Sequence, residues 1–331
     1  KEISNVGLQY IHRGPDSQDY YFENDFKCFF RRLSIIDLHQ RSDQPYHSTS
    51  KRYVLLFNGE IYNFKIIRSE LRNLGYSFYT EGDTEIVMKA FEVWGKDFVK
   101  KLRGMFSICI WDKRDKKFYA FRDRIGIKPL YFTCYKNTYF FSSEIKDLIS
   151  LLKIKKFKEN SKVISNYLAN SFLNDTNETF FKEIFSVKPG HMIEIVKSKM
   201  KSYKYWSLKY SDSNTLNKND VRDSFNEALN LHTISDVPIA YTLSGGIDSG
   251  LLAGASVKLK NFNKDTKFFS INPNYSTDES KWINSTVKKY NLNHYYLKIN
   301  HKKSQDFKEY INFQDEPVQT ASAYYQYLLR K

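Results

Sequence analysis

The chain of 331 residues is 41% hydrophobic and 17% aromatic with 13 Gly and 7 Pro, which excludes a disordered chain and leaves length for two domains with separate cores. A net charge of +15, from 52 Lys and Arg against 37 Asp and Glu, sits in scattered pairs such as Lys155-Lys156 and Lys288-Lys289 among acids, reading as a solvated surface rather than a nucleic-acid footprint. No apolar run approaches the roughly 20 residues of a membrane span, and the seven His and three Cys show no metal or redox spacing, so no membrane, nucleic-acid or zinc partner is expected.

Residues 1 to 207 read as strand-dominated. "KRYVLLFN" (51–58), "GMFSICIWD" (104–112), "KKFYAFRD" (116–123) and "TYFFSSE" (138–144) are rich in β-branched and aromatic residues and bounded by turn formers. Between the first two, "FKIIRSELRNLG" (64–75) and "DTEIVMKAFEVWG" (83–95) carry apolar residues at helical spacing and close on Gly. Strands with two interposed helices predict a layered sheet-and-helix domain. Cys28, Cys109 and Cys134 each fall in an apolar strand-like run and are expected to be buried, reduced thiols.

The polar stretch 208–218 is the expected linker, after which the pattern changes. "VRDSFNEALNLHT", "DSGLLAGASVKLK" and "DESKWINSTVKKYN" read as helices, alternating with strands "VPIAYTL", "KFFSIN" and "HYYLKI". That alternation over 219–331 predicts a parallel sheet covered by helices. "SGGIDS" (244–249) lies between strand and helix, at the carboxyl edge where such sheets bind ligands. Its glycines permit close backbone approach, and Ser hydroxyls and unbonded N–H groups suit phosphate. A carboxylate repels phosphate, so Asp248 makes sense if it holds Mg²⁺ against a nucleotide. The pattern is neither a Walker A loop nor a dinucleotide fingerprint. A plain strand-to-helix turn with Ser or Asp capping is the alternative.

The whole string resembles the PP-loop of the ATP pyrophosphatase family. The resemblance implies that Leu243, Ser244, Gly245, Gly246, Asp248 and Ser249 hold ATP phosphates, with Mg²⁺ on Asp248 through pyrophosphate. It places adenine against Thr242 and Ile271, where Thr242 departs from the family's usual aliphatic residue. Upstream, "HRGPD" (12–16), "RLSIID" (32–37), "FNGEIYN" (57–63), "EGDTE" (81–85), "GMFSICIWD", "RDRIGIKPLY" (122–131) and "SSEIK" (142–146) follow in order. Singly each has a plainer reading: "NGE" as a type I′ hairpin turn, Asp83 as a helix N-cap, the Arg of "RRLSII" as surface charge. As an ordered set they resemble the class II glutamine amidotransferase domain, an N-terminal-nucleophile hydrolase with an αββα sandwich. Followed by a PP-loop domain, they resemble the glutamine-hydrolysing asparagine synthetase family from end to end.

Glutamine offers an α-carboxylate, an α-ammonium and an amide. The carboxylate needs a guanidinium fork, for which Arg32 is the candidate. By resemblance, Asp83 and Glu60 take the ammonium, Leu33, Ser34, Ile35 and Ile36 complete the glutamine-binding segment, and the Asn58 amide and Gly59 N–H stabilise the oxyanion. The family's nucleophile is a Cys at the start of the mature chain. "KEISNVGLQY" reads as the helix before "HRGPD", and Cys28, Cys109 and Cys134 come too late, so the sequence is expected to be a fragment lacking the nucleophile. "DEPVQTASAYYQYLLRK" resembles the lead-in to a second nucleotide loop, so the synthetase half is expected to be partial too. The resemblance implies a cytoplasmic ligase using glutamine, aspartate, ATP and Mg²⁺, with a homodimer left open. A related amidotransferase acting on a sugar acid, a PP-loop enzyme of tRNA modification and a non-catalytic glutamine-binding paralogue remain alternatives.

Overall fold

A computed structural model describes residues 10–153, 158–171, 176–210, 217–259, 265–272, 279–298, 304–318, 320 and 322–330. The chain divides into two compact units, Lys1–Tyr210 and Ser211–Lys331. Of the expected linker, 208–210 are exposed and 211–216 lie outside the described residues.

The first unit opens with an antiparallel hairpin of β1 (Ser17–Phe22) and β2 (Lys27–Arg32). There follow β3 (Tyr46–His47), β4 (Tyr53–Ile61), α1 (Phe64–Asn73), α2 (Asp83–Trp94), β5 (Gly104–Asp112) and β6 (Lys117–Arg122). Next come β7 (Tyr131–Tyr135), β8 (Thr138–Ser142), α3 (Ile145–Leu152), α4 (Ser161–Asn170), β9 (Phe185–Ser186), β10 (His191–Val196) and β11 (Lys199–Lys204). One antiparallel sheet runs β11-β10-β6-β5-β4-β3, and a second runs β8-β7-β9.

Strand alternation sorts the large sheet's faces. Ile108 and Ile110 lie opposite Phe121 and Tyr119, whose rings meet Phe91 of α2. On the other face Cys109, Trp111, Phe118 and Ala120 pack with Leu130, Phe132 and Val187 from around the small sheet. Beyond that sheet, Ile145 and Leu148 of α3 close on Tyr131, Phe140 and Ile184. The layers are therefore helix, sheet, sheet, helix: the αββα sandwich that the resemblance implies.

One alternative falls away and one expectation changes. Asn58, Gly59 and Glu60 form no turn, because β4 runs straight through them and pairs with β5 to Ile61. A Cβ on Gly59 would stand 2.1 Å from the Met105 carbonyl oxygen, so the glycine serves close strand approach rather than reversal. Cys28 and Cys109 are buried as expected, but Cys134 is exposed, since β7 passes from its buried middle to an exposed end beside the hairpin with β8.

The second unit comprises α5 (Lys218–His232), β12 (Ala240–Thr242), α6 (Ile247–Leu259), β13 (Lys267–Asn272), α7 (Ser280–Tyr290), β14 (Asn293–Lys298), α8 (Ser304–Phe313) and α9 (Ser322–Arg330). The three strands pair in parallel in the order β12-β13-β14. Leu243, Ala253, Phe268, Ile283 and Leu292 form the core between sheet and helices. Among the described residues no helix is long and apolar enough to cross a membrane.

Candidate functional site

In the first unit, Arg32, Leu33, Ile35, Ile36, Asn58, Gly59, Glu60 and Asp83 all line one cavity of about 1950 Å³. Four segments supply them: the end of β2 and the loop after it, the end of β4, and the start of α2. Ser34 is the exception. It is not on the cavity wall, and its N–H donates to Asp16 Oδ2 at 2.7 Å, tying the "RLSII" segment to "HRGPD".

Arg32 is 6% exposed and its guanidinium is engaged by its own chain. Nη1 donates to the His39 carbonyl at 3.0 Å and to Asp43 Oδ1 at 2.8 Å, while Nη2 donates to the carbonyls of Ile36 and Asp37. The fork thus shapes the loop that covers it. Asp43 is the one anionic partner among these and is partly exposed.

Asp37 fastens that loop to the segment just before α2. Its Oδ2 accepts from Ser42 Oγ at 2.9 Å, Arg41 Nε at 3.1 Å and the Glu81 N–H at 2.8 Å. Burial alone would raise its carboxyl, but these donors and the His39 N–H hold it down to about 2.

Asp83 behaves oppositely. It is the first residue of α2, with Gly82 as N-cap, and its Oδ2 accepts the Ile61 N–H at 2.9 Å from the end of β4. Burial pushes its carboxyl up to about 7, outweighing that hydrogen bond; nearby Glu60 adds to the rise and Arg32 opposes it. The result is a buried carboxyl raised to about 7, close to neutrality.

Sequence reasoning missed part of the wall. Asn58 Nδ2 donates to Ser143 Oγ at 3.4 Å, and Ser107 and Lys128 join the lining. Burial pushes the Lys128 ammonium down while Glu60 draws it back up. Glu144 joins "HRGPD" to "SSEIK", meeting His12 Nε2 at 3.1 Å, Arg13 Nη1 at 3.4 Å and Lys146 Nζ at 2.9 Å. Both strings were conspicuous in the sequence, but their pairing spans about 130 residues and has no periodic signal. Cys28 and Cys109 also reach the lining, yet burial pushes both thiols up to about 12, so they stay protonated near neutrality.

In the second unit the predicted turn joins β12 to α6. Leu243 is buried, and its N–H donates to the Phe269 carbonyl at 2.8 Å. Ser249 knots the turn. It accepts the Ser244 N–H at 3.1 Å, and its Oγ lies within 3.0 and 3.1 Å of the Ser244 and Gly246 carbonyls. The Gly246 N–H donates to Ser244 Oγ at 3.3 Å. Asp248 stands exposed in the first turn of α6. Thr242 pairs with Phe269, so Ile271 lies two residues further toward the carboxyl edge, on the turn's side of the sheet. The sequence suggests unbonded N–H groups here, but the Ser244 and Gly246 N–H groups are taken up inside the turn; what suits a phosphate is the N-terminus of α6 at a strand's carboxyl end.

Comparison with known proteins matches each unit to a described family. Residues 1–206 match the family described as "Glutamine amidotransferase domain". Residues 220–331 match "Asparagine synthase". The chain is 34% identical over 273 residues to asparagine synthetase [glutamine-hydrolyzing] 1 of Bacillus subtilis, covering 81% of this chain and 42% of that protein. It is 32% identical over 253 residues to amidase chry2 of Gibberella zeae, covering 73% of this chain and 37% of the other. A solved glutamine phosphoribosylpyrophosphate amidotransferase from B. subtilis aligns at a TM-score of 0.42 and 13% identity, over 92% of this chain and 78% of that one, too distant to add weight. The chain spans less than half the length of these two curated relatives. It belongs to the glutamine amidotransferase family and carries an asparagine synthase domain after the amidotransferase domain.

Proposed function

We propose that the protein is a glutamine-dependent, ATP-using amidotransferase that converts aspartate to asparagine. The observation that carries this reading is one cavity wall bearing a buried guanidinium, a buried acid near neutrality and the Asn58-Gly59 pair, the groups that the three ends of glutamine require. The ammonium goes to Asp83, with Glu60 beside it. The carboxylate goes to Arg32, exchanging with Asp43 for Nη1 while the carbonyls of Ile36, Asp37 and His39 keep the guanidinium in plane. Asn58 and Gly59 receive the developing oxyanion, where two aimed donors are worth a few kcal/mol, on the order of 2–4. The resemblance assigns the attacking thiolate to a cysteine at the start of the mature chain, and burial keeps Cys28 and Cys109 protonated rather than nucleophilic.

The second unit activates the acceptor carboxylate. ATP phosphates lie on the turn 244–249, with adenine toward Thr242 and Ile271. Adenylation turns a poor leaving group into a good one, and ammonia displaces AMP. Among the described residues no three His, Cys, Asp or Glu gather to cage a metal. Magnesium carried on nucleotide phosphates needs only one or two carboxylates, and exposed Asp248 in the first turn of α6 provides one. The ion would neutralise phosphate charge there.

A second reading keeps the chemistry and changes the acceptor to another carboxylate; a relative at 32% identity that carries a name other than asparagine synthetase keeps it open. The experiment that tests the main reading measures glutamate released from glutamine by the full-length protein and by its Asp83→Asn and Arg32→Ala variants. Loss of glutaminase activity in both variants, with folding retained, supports the site; wild-type rates in either contradict it.

A further inference from the structure

The phosphate turn already carries an anion from its own chain. The Gly245 N–H donates to Glu279 Oε2 at 2.8 Å. The two residues are packed so closely that a Cβ on Gly245 would stand 2.7 Å from Glu279 Cβ and 3.2 Å from its Cγ. Glu279 is the N-cap of α7, its carbonyl accepting the N–H groups of Trp282 at 3.0 Å and Ile283 at 3.1 Å. Ile283 is 3% exposed in the unit's core. The first turn of α7 is therefore fixed, and with it the residue whose carboxylate reaches the turn.

Short Asp, Asn, Ser and Thr N-caps turn their oxygens onto the first N–H groups of their own helix. Glu279 makes no such side-chain cap and bonds instead to the neighbouring turn. One amide N–H holds one strong acceptor well, so a phosphate oxygen and the Glu279 carboxylate are alternatives at Gly245. The carboxylate also stays close enough to repel a polyphosphate after it has been displaced.

We infer that Glu279 sets the turn's affinity for phosphates by competing with them for the Gly245 amide. The inference rests on the reading that this turn binds the phosphates of ATP. The carboxylate satisfies the amide when no nucleotide is bound and lowers the affinity for ATP and pyrophosphate, which favours release of the pyrophosphate product.

The test uses the full-length protein and its Glu279→Gln and Glu279→Ala variants, with ATP, inorganic pyrophosphate and adenosine as probes in calorimetric titrations. Both variants should bind ATP and pyrophosphate roughly five- to tenfold tighter at low salt, the gain shrinking in half-molar salt as the like charges are screened. Adenosine affinity should stay unchanged, which separates loss of a competing charge from general rearrangement. Unchanged or weaker pyrophosphate binding in the variants overturns the inference while leaving the phosphate site standing. Weakening seen only with Mg²⁺ present also overturns it and makes Glu279 a metal ligand. Absence of ATP and pyrophosphate binding in the wild type overturns both the inference and the reading beneath it.

Discussion

Replacing Asp83 by Asn should make the protein more stable at alkaline pH while weakening its hold on glutamine. In the folded chain the Asp83 carboxyl titrates near 7 because burial disfavours its charge, whereas an unfolded aspartate titrates near 3.8. The native state thus keeps a proton that the unfolded chain releases between those values. Stability falls as pH rises through that window and levels off above about 7, where the buried charge is fully present. At roughly 1.4 kcal/mol per tenfold change in proton affinity, the full effect approaches about 4 kcal/mol. The side chain is buried, so solvent screening removes little of it. Asn keeps an oxygen for the Ile61 N–H and never ionises, so Asp83→Asn should lose most of this dependence. Urea denaturation at pH 5.5 and pH 8 reads the difference, with the variant gaining on the wild type at the higher pH. Calorimetry on the same samples should show glutamine binding weakened at least tenfold. A variant less stable than wild type at pH 8, or one with the wild-type pH slope, would refute the account of Asp83 as a buried acid waiting for a cation.

Asp37→Asn should loosen the loop over Arg32, since the ionised carboxylate collects donors from Ser42, Arg41 and Glu81. A loss of about 2–3 kcal/mol in chemical denaturation is expected, and the wild-type contribution should fade as pH drops from about 4 toward 2. Gly59→Ala forces a Cβ to 2.1 Å from the Met105 oxygen, so β4 and β5 must separate. A cost above roughly 3 kcal/mol, or insoluble expression, should result, readable by thermal unfolding. Ser249→Ala unties the phosphate turn and should lower ATP affinity about tenfold in calorimetry, with a stability loss near 1 kcal/mol.

Much of this was legible from periodicity. β5 falls where β-branched and aromatic composition between turn formers put it, α2 where helical spacing put it, and the change to strand–helix alternation marks the second unit. The "NGE" string shows where local signals mislead. Asn-Gly favours a turn, but here the missing side chain lets two strands touch, a tertiary demand with the same residue preference. Asp83 reads as an N-cap and instead reaches across to β4, leaving Gly82 to cap α2. Arg32 was legible as a guanidinium but not as one already engaged by four acceptors of its own loop. The link through Glu144 and the reach of Glu279 were invisible, because each acts through a partner far along the chain, and an acid beside a helix start looks like ordinary surface charge.

In the proposed function the two sites work together, since ammonia released from glutamine is what an adenylated carboxylate consumes. Shielding from water keeps that ammonia unprotonated and nucleophilic. The full-length protein, given amide-¹⁵N glutamine, aspartate and Mg·ATP, tests this coupling most directly. The account predicts ¹⁵N in the side-chain amide of asparagine, with one pyrophosphate released per amide formed. Glutamate release without pyrophosphate and without labelled asparagine would contradict it.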